Sequence, residues 1–334
     1  MIRISASAPG KILLCGEYAV LDGAPSLCVA VNRRASVLIQ QNERGEHSVR
    51  SPGFADGSYR FSIDPGGGFN WNAGGEALPD FSILERVWPA QARQSSPSVD
   101  LVLDTGAFVE PGGGRKLGLG ASAALTVALV GALARLQNTT TELDAMIEAH
   151  QQFQGGSGSG ADVASAFSGG VIEYRRRETA FVRPMTWRND LEYAVLWSGQ
   201  SVSTVQKLSQ LAASKADTGS RADLGRASSE IINAWDKAGA EAIISLFDRY
   251  TKTLAVFSDD HGLGIFDAGH AELVDLALSC GVVYKPCGAG GGDIGMALSA
   301  DREAIDRFLA DADSHGFTQL ELRIDDNGLN VGSI

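Results

Sequence analysis

The stretch at residues 116–125, KLGLGASAAL, places two glycines, a hydroxyl and an apolar helical run in direct succession. Glycine lets the backbone approach a ligand closely, and the first turn of a helix offers unpaired N–H groups at a positive dipole end. A glycine turn that leads into a helix therefore predicts an anion site, most often for phosphate. Lys116 adds a positive charge, and Ser122 adds a hydroxyl. The alternative interpretation is that small residues only let a core helix pack closely.

Two further glycine-rich turns, at residues 155–160 and 288–292, lie next to predicted strands or helices. Three such turns in one chain are hard to explain as linkers. The P-loop spacing is absent, and the single G-x-G-x-x-G, at residues 290–295, leads into a predicted strand where the Rossmann motif needs a helix. The G-x-S-x-G and H-E-x-x-H motifs of hydrolases and zinc proteases are absent as well. The turns therefore predict phosphate binding without the common nucleotide-site motifs.

The composition is that of an ordinary globular protein, with 334 residues, 44% hydrophobic residues and a net charge of −12. This length allows two domains with ample core. The acidic balance argues against nucleic acid or membrane as a partner, although clustered lysines can still bind a small anion. The four cysteines show no metal-like spacing, and we find no signal peptide or membrane-spanning run. We therefore expect a cytoplasmic protein with reduced thiols.

The order of predicted elements indicates an α+β sandwich. Residues 2–8 alternate as a strand does, and Pro9-Gly10 is expected to end it before a second short strand at 12–14. A change of pattern predicts an N-terminal domain at residues 1–185 and a C-terminal domain at residues 186–334. The other predicted helices span 81–92, 121–136, 143–153 and 302–312, with more up to about 257 and another from 271, and the other predicted strands span 27–39, 99–103, 170–175, 193–197, 282–285, 294–298 and 317–324.

The segment at residues 8–21, APGKILLCGEYAVL, resembles the first motif of the galactokinase, homoserine kinase, mevalonate kinase and phosphomevalonate kinase (GHMP) superfamily. Residues 116–125 resemble its second, ATP-phosphate motif, and residues 285–295, KPCGAGGGDIG, resemble its third. All three occur in family order and spacing, so the resemblance covers nearly the whole chain. It implies a two-domain kinase with a ribosomal-S5-like N-terminal domain, a ferredoxin-like C-terminal domain, and ATP and Mg²⁺ as cofactors.

Within the superfamily, two details resemble the phosphomevalonate kinases. Tyr18 follows Gly-Glu where mevalonate kinases usually have histidine, and residues 149–164 resemble the pattern Ala-His-x-x-Ala-Gln-Gly-x-x-Gly-Ser-Gly-x-Asp-Val-Ala. Gly156 stands where that pattern commonly has lysine, and Ala121 replaces the first serine of the usual Gly-Ser-Ser-Ala. His150 falls roughly where mevalonate kinases carry a magnesium-binding glutamate, so no carboxylate is assigned to the metal.

The resemblance implies roles for the matched residues. Lys11 would stabilise charge on the acceptor oxygen, and Asp162, kept ionised by Lys11, would accept or orient the acceptor hydrogen. The competing interpretations are a solvated turn lysine and a helix N-cap aspartate. Ser122 would bind phosphate or Mg²⁺, whereas Glu17 fits a structural role equally well. The expected nucleotide ligands are Lys116, Gly118, Leu119, Gly120, Ala121, Ser122 and Ala123, and the expected substrate ligands are Lys11, Tyr18, Ser157, Ser159, Gly160, Ser201, Ser203, Thr204, Gly290 and Gly291.

Two polar clusters have open interpretations. Ser201, Ser203 and Thr204 form a turn like the family's substrate-phosphate loop, but such clusters cap helices just as readily. The three arginines at residues 175–177 fit a solvated strand end better than a binding patch.

The resemblance implies transfer of the ATP γ-phosphoryl group onto the phosphate of 5-phosphomevalonate, giving 5-diphosphomevalonate and ADP, by a monomer or homodimer. The acceptor phosphate is already ionised near neutral pH, so Asp162 need only position it. The alternatives are a mevalonate kinase, an ATP-dependent diphosphomevalonate decarboxylase, and a kinase-like sensor that binds ligands without turnover. The retained Lys11, Ser122 and Asp162 argue against a sensor.

Overall fold

Two β-sheets with helices packed against them form an α+β fold. This computed structural model describes residues 2–64, 67–72, 78–91, 97–112, 114–156, 158–214, 216 and 219–333. The strands are β1 (Arg3–Cys15), β2 (Ser26–Gln41), β3 (His47–Ser51), β4 (Ala55–Ile63), β5 (Phe69–Asn72), β6 (Val99–Asp104), β7 (Val171–Arg175), β8 (Phe181–Met185), β9 (Glu192–Trp197), β10 (Val283–Pro286), β11 (Ile294–Ser299), β12 (Thr318–Leu320) and β13 (Asn330–Ser333). The helices are α1 (Ser82–Gln91), α2 (Ala121–Gln137), α3 (Leu143–Phe153), α4 (Ala161–Ser168), α5 (Thr204–Ala213), α6 (Ser220–Ala234), α7 (Ala240–His261), α8 (His270–Ser279) and α9 (Arg302–Ala312), with 3₁₀ helices at Ala19–Asp22, Gly106–Phe108 and Asp313–His315.

The first sheet is built around β1 and β2, which pair antiparallel along most of their length. Its described strands follow the order β13–β1–β2–β6–β3–β4–β5, and β7 and β8 extend it from the first part of β2. The helix α2 lies across this sheet, and every residue from Ala123 to Ala134 is buried. Burial on all sides explains why its apolar residues form an almost continuous run.

The expected strand break at Pro9-Gly10 is wrong. β1 continues through both residues, and a β-bulge shifts its register between them. A bulge tolerates the missing N–H of proline. A Cβ on Gly10 would lie 2.8 Å from Leu119 O and 2.7 Å from Phe108 Cε1, so glycine is what lets β1 approach the turn before α2.

The second sheet contains four described strands in the order β10–β11–β9–β12, all antiparallel. Along the chain, these four strands and the helices between them follow the β-α-β-β-α-β order of a ferredoxin-like fold. This order confirms the expected architecture. β12 is shorter than the strand predicted at residues 317–324. The chain leaves this sheet beyond Leu320, because Ile324 forms a bridge to Val31 of the first sheet.

The two faces of the second sheet belong to different cores. Val195 and Trp197 of β9 join the large core that also contains the first sheet, whereas Ala194 and Leu196 face a smaller core with α8 and α9. The domain boundary between residues 185 and 186 stays a prediction. The strand β13 lies on the C-terminal side of this boundary in sequence, yet it pairs with β1 in the first sheet. Throughout the described ranges, each helix is too short or too polar to cross a bilayer.

Candidate active site

The turn before α2 exposes backbone donors at the helix N-terminus. Gly118 and Gly120 have φ of 75° and 79°, and Gly120 occupies the N-cap position. Gly120 has no side chain to cap the helix, and the first helical bond runs from Ala124 N to Gly120 O (3.1 Å). The N–H groups of residues 121–123 precede that bond and lie at the positive end of the helix dipole. They form a ready anion site.

Lys11 lies across this turn. Its backbone N–H donates to Leu119 O at 2.9 Å, which fastens β1 to the turn. A Cβ on Gly120 would lie 3.2 Å from Lys11 Cε, so the side chain passes directly over the glycine. Lys11 Nζ lies 3.9 Å from where a Cβ on Gly288 would stand, at the third glycine turn. Two of the three glycine turns therefore meet at this lysine, and its position within β1 excludes the interpretation as a solvated turn lysine.

A cavity of about 110 Å³, here called the polar cavity, lies beside the start of α4. Lys11 and Asp162 both line it, and the charges of both affect the pKa of Cys28, another lining residue. Burial raises the pKa of Cys28 to about 12, while Lys11 lowers it and Asp162 raises it. Asp162 lies inside the first turn of α4, whose N-cap is Gly160. The N-cap interpretation of Asp162 is therefore wrong, and its carboxylate is a side chain of the cavity.

A second cavity of about 170 Å³, here called the apolar cleft, is lined by residues of the first turn of α2, among them Ala121 and Ser122. Phe54, Phe81 and Phe108 give it aromatic walls, and Lys116 also lines it. The apolar cleft and the polar cavity thus each contain one lysine from the neighbourhood of the α2 N-terminus, Lys116 and Lys11.

His150 links a residue of the apolar cleft to a residue of the polar cavity. Its Nε2 is 3.1 Å from Ser122 Oγ, and its Nδ1 is 4.0 Å from Asp162 Oδ2. The histidine is in the last turn of α3 and is 1% exposed. His150 belongs to the matched pattern at residues 149–164, but its role could not be predicted from sequence. The reason is that its partners, Ser122 and Asp162, come from two other helices.

Residues 93–170 match the family model for the GHMP kinases N terminal domain. The chain is 29% identical to the phosphomevalonate kinase of Streptomyces sp., covering 89% of this chain and 90% of that protein. It is 26% identical to the mevalonate kinase of Thermococcus gammatolerans, with 91% of each covered.

The solved structure of Streptococcus pneumoniae phosphomevalonate kinase in complex with phosphomevalonate and AMPPNP has a TM-score of 0.77 to the structure of this chain. The two are 19% identical, and the match covers 97% of this chain and 100% of that chain. At this identity the likeness shows the shared fold.

Four of the expected substrate ligands line the polar cavity: Lys11, Tyr18, Ser159 and Thr204. The Tyr18 hydroxyl also donates to Ala289 O at 2.6 Å, which ties the first motif to the third. Gly160 follows Ser159 directly as the N-cap of α4. Ser157 lies outside the described residues.

Other expected ligands have different surroundings. Ser201 Oγ donates to Lys116 O at 3.0 Å, and Ser203 Oγ caps α5 by accepting from Gln206 N at 3.3 Å. Gly290 packs against Ile265, Gly291 packs against Gly264 and Lys207, and Gly291 N donates to Ile265 O at 2.7 Å.

The cavity lining contains other parts of the same glycine turn. In the described lining, Gly288 and Ala289 represent the third motif.

The three arginines at residues 175–177 have three different surroundings. Arg176 donates to Gly158 O at 3.0 Å beside the cavity, Arg175 pairs with Glu173, and Arg177 lies over the Phe181 ring.

The expected nucleotide ligands all belong to the turn before α2 or to its first turn. Lys116, Ala121 and Ser122 line the apolar cleft. Leu119 is 1% exposed, so its side chain is part of the core.

Asp293 stands behind the phosphate turn and was missed by sequence reasoning. A Cβ on Gly118 would lie 2.4 Å from Asp293 Cβ, and Asp293 Oδ1 accepts from Val202 N at 3.3 Å. Burial raises the pKa of Asp293 to about 6, against the opposing effects of that hydrogen bond and of Lys11 and Lys116. The carboxyl therefore titrates next to the site where an anion would bind.

Glu17 makes buried structural contacts, and it also lines the polar cavity. It is 1% exposed, accepts from Lys285 Nζ at 2.6 Å, and accepts from the Tyr250 hydroxyl at 2.5 Å. The same hydroxyl accepts from Gly16 N and Glu17 N. Burial opposes the charge of Lys285, yet its pKa is raised, because Cys287 and the Glu17 carboxylate lie beside it.

The donor set of this site suits Mg²⁺ held mainly by phosphate oxygens. Within the described residues, no group of three His, Cys, Asp or Glu side chains could hold a metal ion. Mg²⁺ usually keeps several waters and takes one or two protein ligands besides substrate phosphates. The Ser122 hydroxyl, at the anion-binding end of α2, fits that requirement.

Proposed function

We propose that this chain is a GHMP kinase that transfers the γ-phosphoryl group of ATP to the phosphate of 5-phosphomevalonate, giving 5-diphosphomevalonate and ADP. The observation that carries the proposal is a pair of cavities near the start of α2: the first turn of α2 lines the apolar cleft, and Lys11, whose side chain passes over the N-cap residue Gly120, lines the polar cavity. A transferase with two substrates needs two sites that meet at the transferred group, and a helix N-terminus close to both is suited to hold that group.

The nucleotide belongs to the apolar cleft. Its aromatic lining suits the faces of a planar base, and Lys116 and the first turn of α2 follow along the same surface. The phosphates would accept the N–H groups of residues 121–123, with Ser122 Oγ beside the β- and γ-phosphates. Mg²⁺, when bound there, would neutralise charge on those two phosphates.

The acceptor belongs to the polar cavity. An oxygen of its phosphate would form a bond to the γ-phosphorus, and the bond from that phosphorus to the bridging oxygen of ADP would break. Lys11 lies between the phosphate turn and this cavity, where its ammonium would stabilise the charge of the incoming oxygen and the transferred group. Asp162 would orient the acceptor, which needs no base because its phosphate is already ionised.

Similarity to named enzymes supports this acceptor but also one rival. The Streptomyces phosphomevalonate kinase is the more similar relative at 29% identity, and the mevalonate kinase of T. gammatolerans follows at 26%. With mevalonate as acceptor the attacking group is an alcohol, and Asp162 would then have to remove its proton.

The deciding experiment offers the purified protein Mg·ATP with mevalonate or 5-phosphomevalonate separately, and follows ADP with a coupled assay and the product by ³¹P NMR. We expect ADP with 5-phosphomevalonate and the two coupled resonances of a diphosphate. Turnover of mevalonate alone would instead establish a mevalonate kinase. Carbon dioxide released from diphosphomevalonate would establish the decarboxylase, and ligand binding without any ADP would establish a sensor.

A further inference from the structure

Ser122, His150 and Asp162 form a line that joins the apolar cleft to the polar cavity. Ser122 lines the cleft, Asp162 lines the cavity, and His150 lies buried between them. The three come from the first turn of α2, the last turn of α3 and the first turn of α4. Because His150 is 1% exposed, bulk water does not compete for its ring nitrogens.

The charge of Asp162 decides which ring nitrogen carries the proton. A neutral imidazole has one N–H donor and one bare nitrogen. Asp162 Oδ2 faces Nδ1 at 4.0 Å, so a bare Nδ1 would be repelled by the carboxylate, whereas an Nδ1–H is attracted to it. That distance is too long for a direct hydrogen bond, and the attraction acts through space or through a water. The proton therefore belongs on Nδ1.

The protonated Nδ1 leaves Nε2 as an acceptor. Ser122 Oγ, 3.1 Å from Nε2, must then donate its hydroxyl proton to the ring. The neighbouring Thr126 hydroxyl bonds to Ser122 O and does not compete for Oγ. With its proton turned toward His150, Ser122 Oγ has its lone pairs free on the other sides, where they would be available to a Mg²⁺ ion held by the nucleotide phosphates.

We propose that His150 is a positioning residue that holds the Ser122 hydroxyl with its lone pairs toward Mg²⁺, and that Asp162 sets the tautomer in which it does so. The inference rests on the proposed function, because it assumes a nucleotide at the α2 N-terminus. It gives Asp162 a second role, since the carboxylate on the acceptor side also orients a ligand on the nucleotide side.

Two conservative replacements separate this role from simple packing. In His150→Gln the side-chain oxygen reaches the position of Nε2 and can accept the Ser122 proton. In His150→Asn the amide reaches only the position of Nδ1, so Ser122 loses its acceptor. We expect His150→Gln to keep the affinity for Mg·AMPPNP within about threefold of wild type, and His150→Asn to weaken it about tenfold, the effect of one lost hydrogen bond. A purely structural role would make the two variants equal or reverse their order.

The measurement is calorimetric titration with AMPPNP, with and without Mg²⁺ and without acceptor. The weakening in His150→Asn should appear only with Mg²⁺. It should also vanish in a Ser122→Ala background, because His150 acts through Ser122. Equal losses in the presence and absence of Mg²⁺, or additive effects of the two substitutions, would overturn the proposal.

The tautomer can be observed directly in the unmodified protein. Long-range ¹H–¹⁵N spectra of protein labelled at histidine distinguish a protonated Nδ1 from a protonated Nε2, and His150→Gln identifies the His150 signals by their loss. We expect protonated Nδ1; a protonated Nε2 at His150 would refute the inference even if the His150→Asn variant failed to fold. These experiments use no acceptor, so a failed 5-phosphomevalonate assay leaves them valid, whereas a wild type that binds no Mg·AMPPNP would refute the proposed function and the inference together.

Discussion

Lys11 and Asp162 face one cavity with opposite charges, and each should be essential for a different reason. Lys11→Ala removes the ammonium beside the transferred group, and Asp162→Asn removes the charge that orients the acceptor. We expect each substitution to lower kcat by at least ~100-fold, the usual effect of losing one charge-stabilising group. Steady-state kinetics with the accepted substrate, together with circular dichroism to confirm folding, provide the measurement.

The matched control is Lys252→Ala, which removes an exposed lysine paired with Asp248 on α7. Its kcat should stay within about twofold of wild type, because an exposed pair of this kind contributes little to the fold. If both Lys11→Ala and Asp162→Asn matched this control, the assignment of the polar cavity as the acceptor site would be refuted.

Asp293 should make stability depend on pH. Its folded-state pKa, about 6, lies above the ordinary value of 3.8, so the folded protein holds that proton more tightly than the unfolded chain. Its ionisation therefore costs stability, a cost that is absent below pH 3.8 and complete above about pH 6. Asp293→Asn keeps an oxygen for Val202 N and removes the charge, and should raise the free energy of unfolding at pH 8 by up to about 3 kcal/mol.

Urea unfolding of wild type and Asp293→Asn at pH 4 and pH 8 tests this pH dependence. The gain should shrink to well under ~1 kcal/mol at pH 4, where the folded-state carboxyl is protonated and the unfolded one is only partly ionised. Asp248→Asn, on an exposed stretch of α7, is the control and should give no such difference. A gain of the same size at both pH values would show that ionisation of Asp293 is not the cause.

Among the secondary-structure elements, the turn before α2 depends on Gly118 for two separable reasons. Its φ of +75° disfavours any L side chain, and a Cβ there would collide with Asp293 Cβ at 2.4 Å. Gly112 has nearly the same φ, +78°, with nothing within 4 Å of its Cβ position. Gly112→Ala should therefore cost about 1 kcal/mol of backbone strain, and Gly118→Ala at least ~2 kcal/mol more, because the third motif must also shift.

Urea unfolding of the two alanine variants measures the difference, and titration with AMPPNP reports on the turn itself. Gly118→Ala should weaken nucleotide binding while Gly112→Ala leaves it unchanged. Equal losses of stability in both variants would mean that the close approach of Asp293 does not constrain the turn.

Elements with strong local signals were predictable from sequence. The helix expected at residues 143–153 is α3, Leu143–Phe153, and the three glycine turns lie beside the elements they were expected to join. The break at Pro9-Gly10 was wrong, because pairing with β2 over the whole of β1 outweighs the local preference of the two residues.

The missing parts of the site come from long-range contacts. His150 faces partners on α2 and α4, and Asp293 meets Gly118 across a large separation in sequence. Gly288 and Ala289 line the polar cavity, whereas Gly290 and Gly291 pack against Gly264 and Ile265. Because the four are consecutive small residues, their composition gave no means to tell which of them would line the cavity.

At the scale of the whole molecule, a buried ion pair joins distant parts of the chain. Glu17 follows β1 of the first sheet, Lys285 belongs to β10 of the second sheet, and Tyr250 of α7 bonds to Glu17 between them. Lys285 also begins the third motif, so this pair helps to fix the glycine turn at residues 288–292 against the first motif. Both charges are almost fully withdrawn from water, at 1% exposure each.

Removing one partner of this pair should cost far more than removing both. Glu17→Gln leaves a buried ammonium, and Lys285→Met leaves a buried carboxylate, so each should lower the free energy of unfolding by about 3–5 kcal/mol. The double variant leaves no unpaired charge and should lose much less than the sum of the two. Urea unfolding in a double-mutant cycle measures the coupling, with the exposed Lys252→Met as a control expected to cost at most about 0.5 kcal/mol. Additive losses would show that the two charges do not depend on each other. The relative position of the two sheets would then be fixed by their shared apolar core instead.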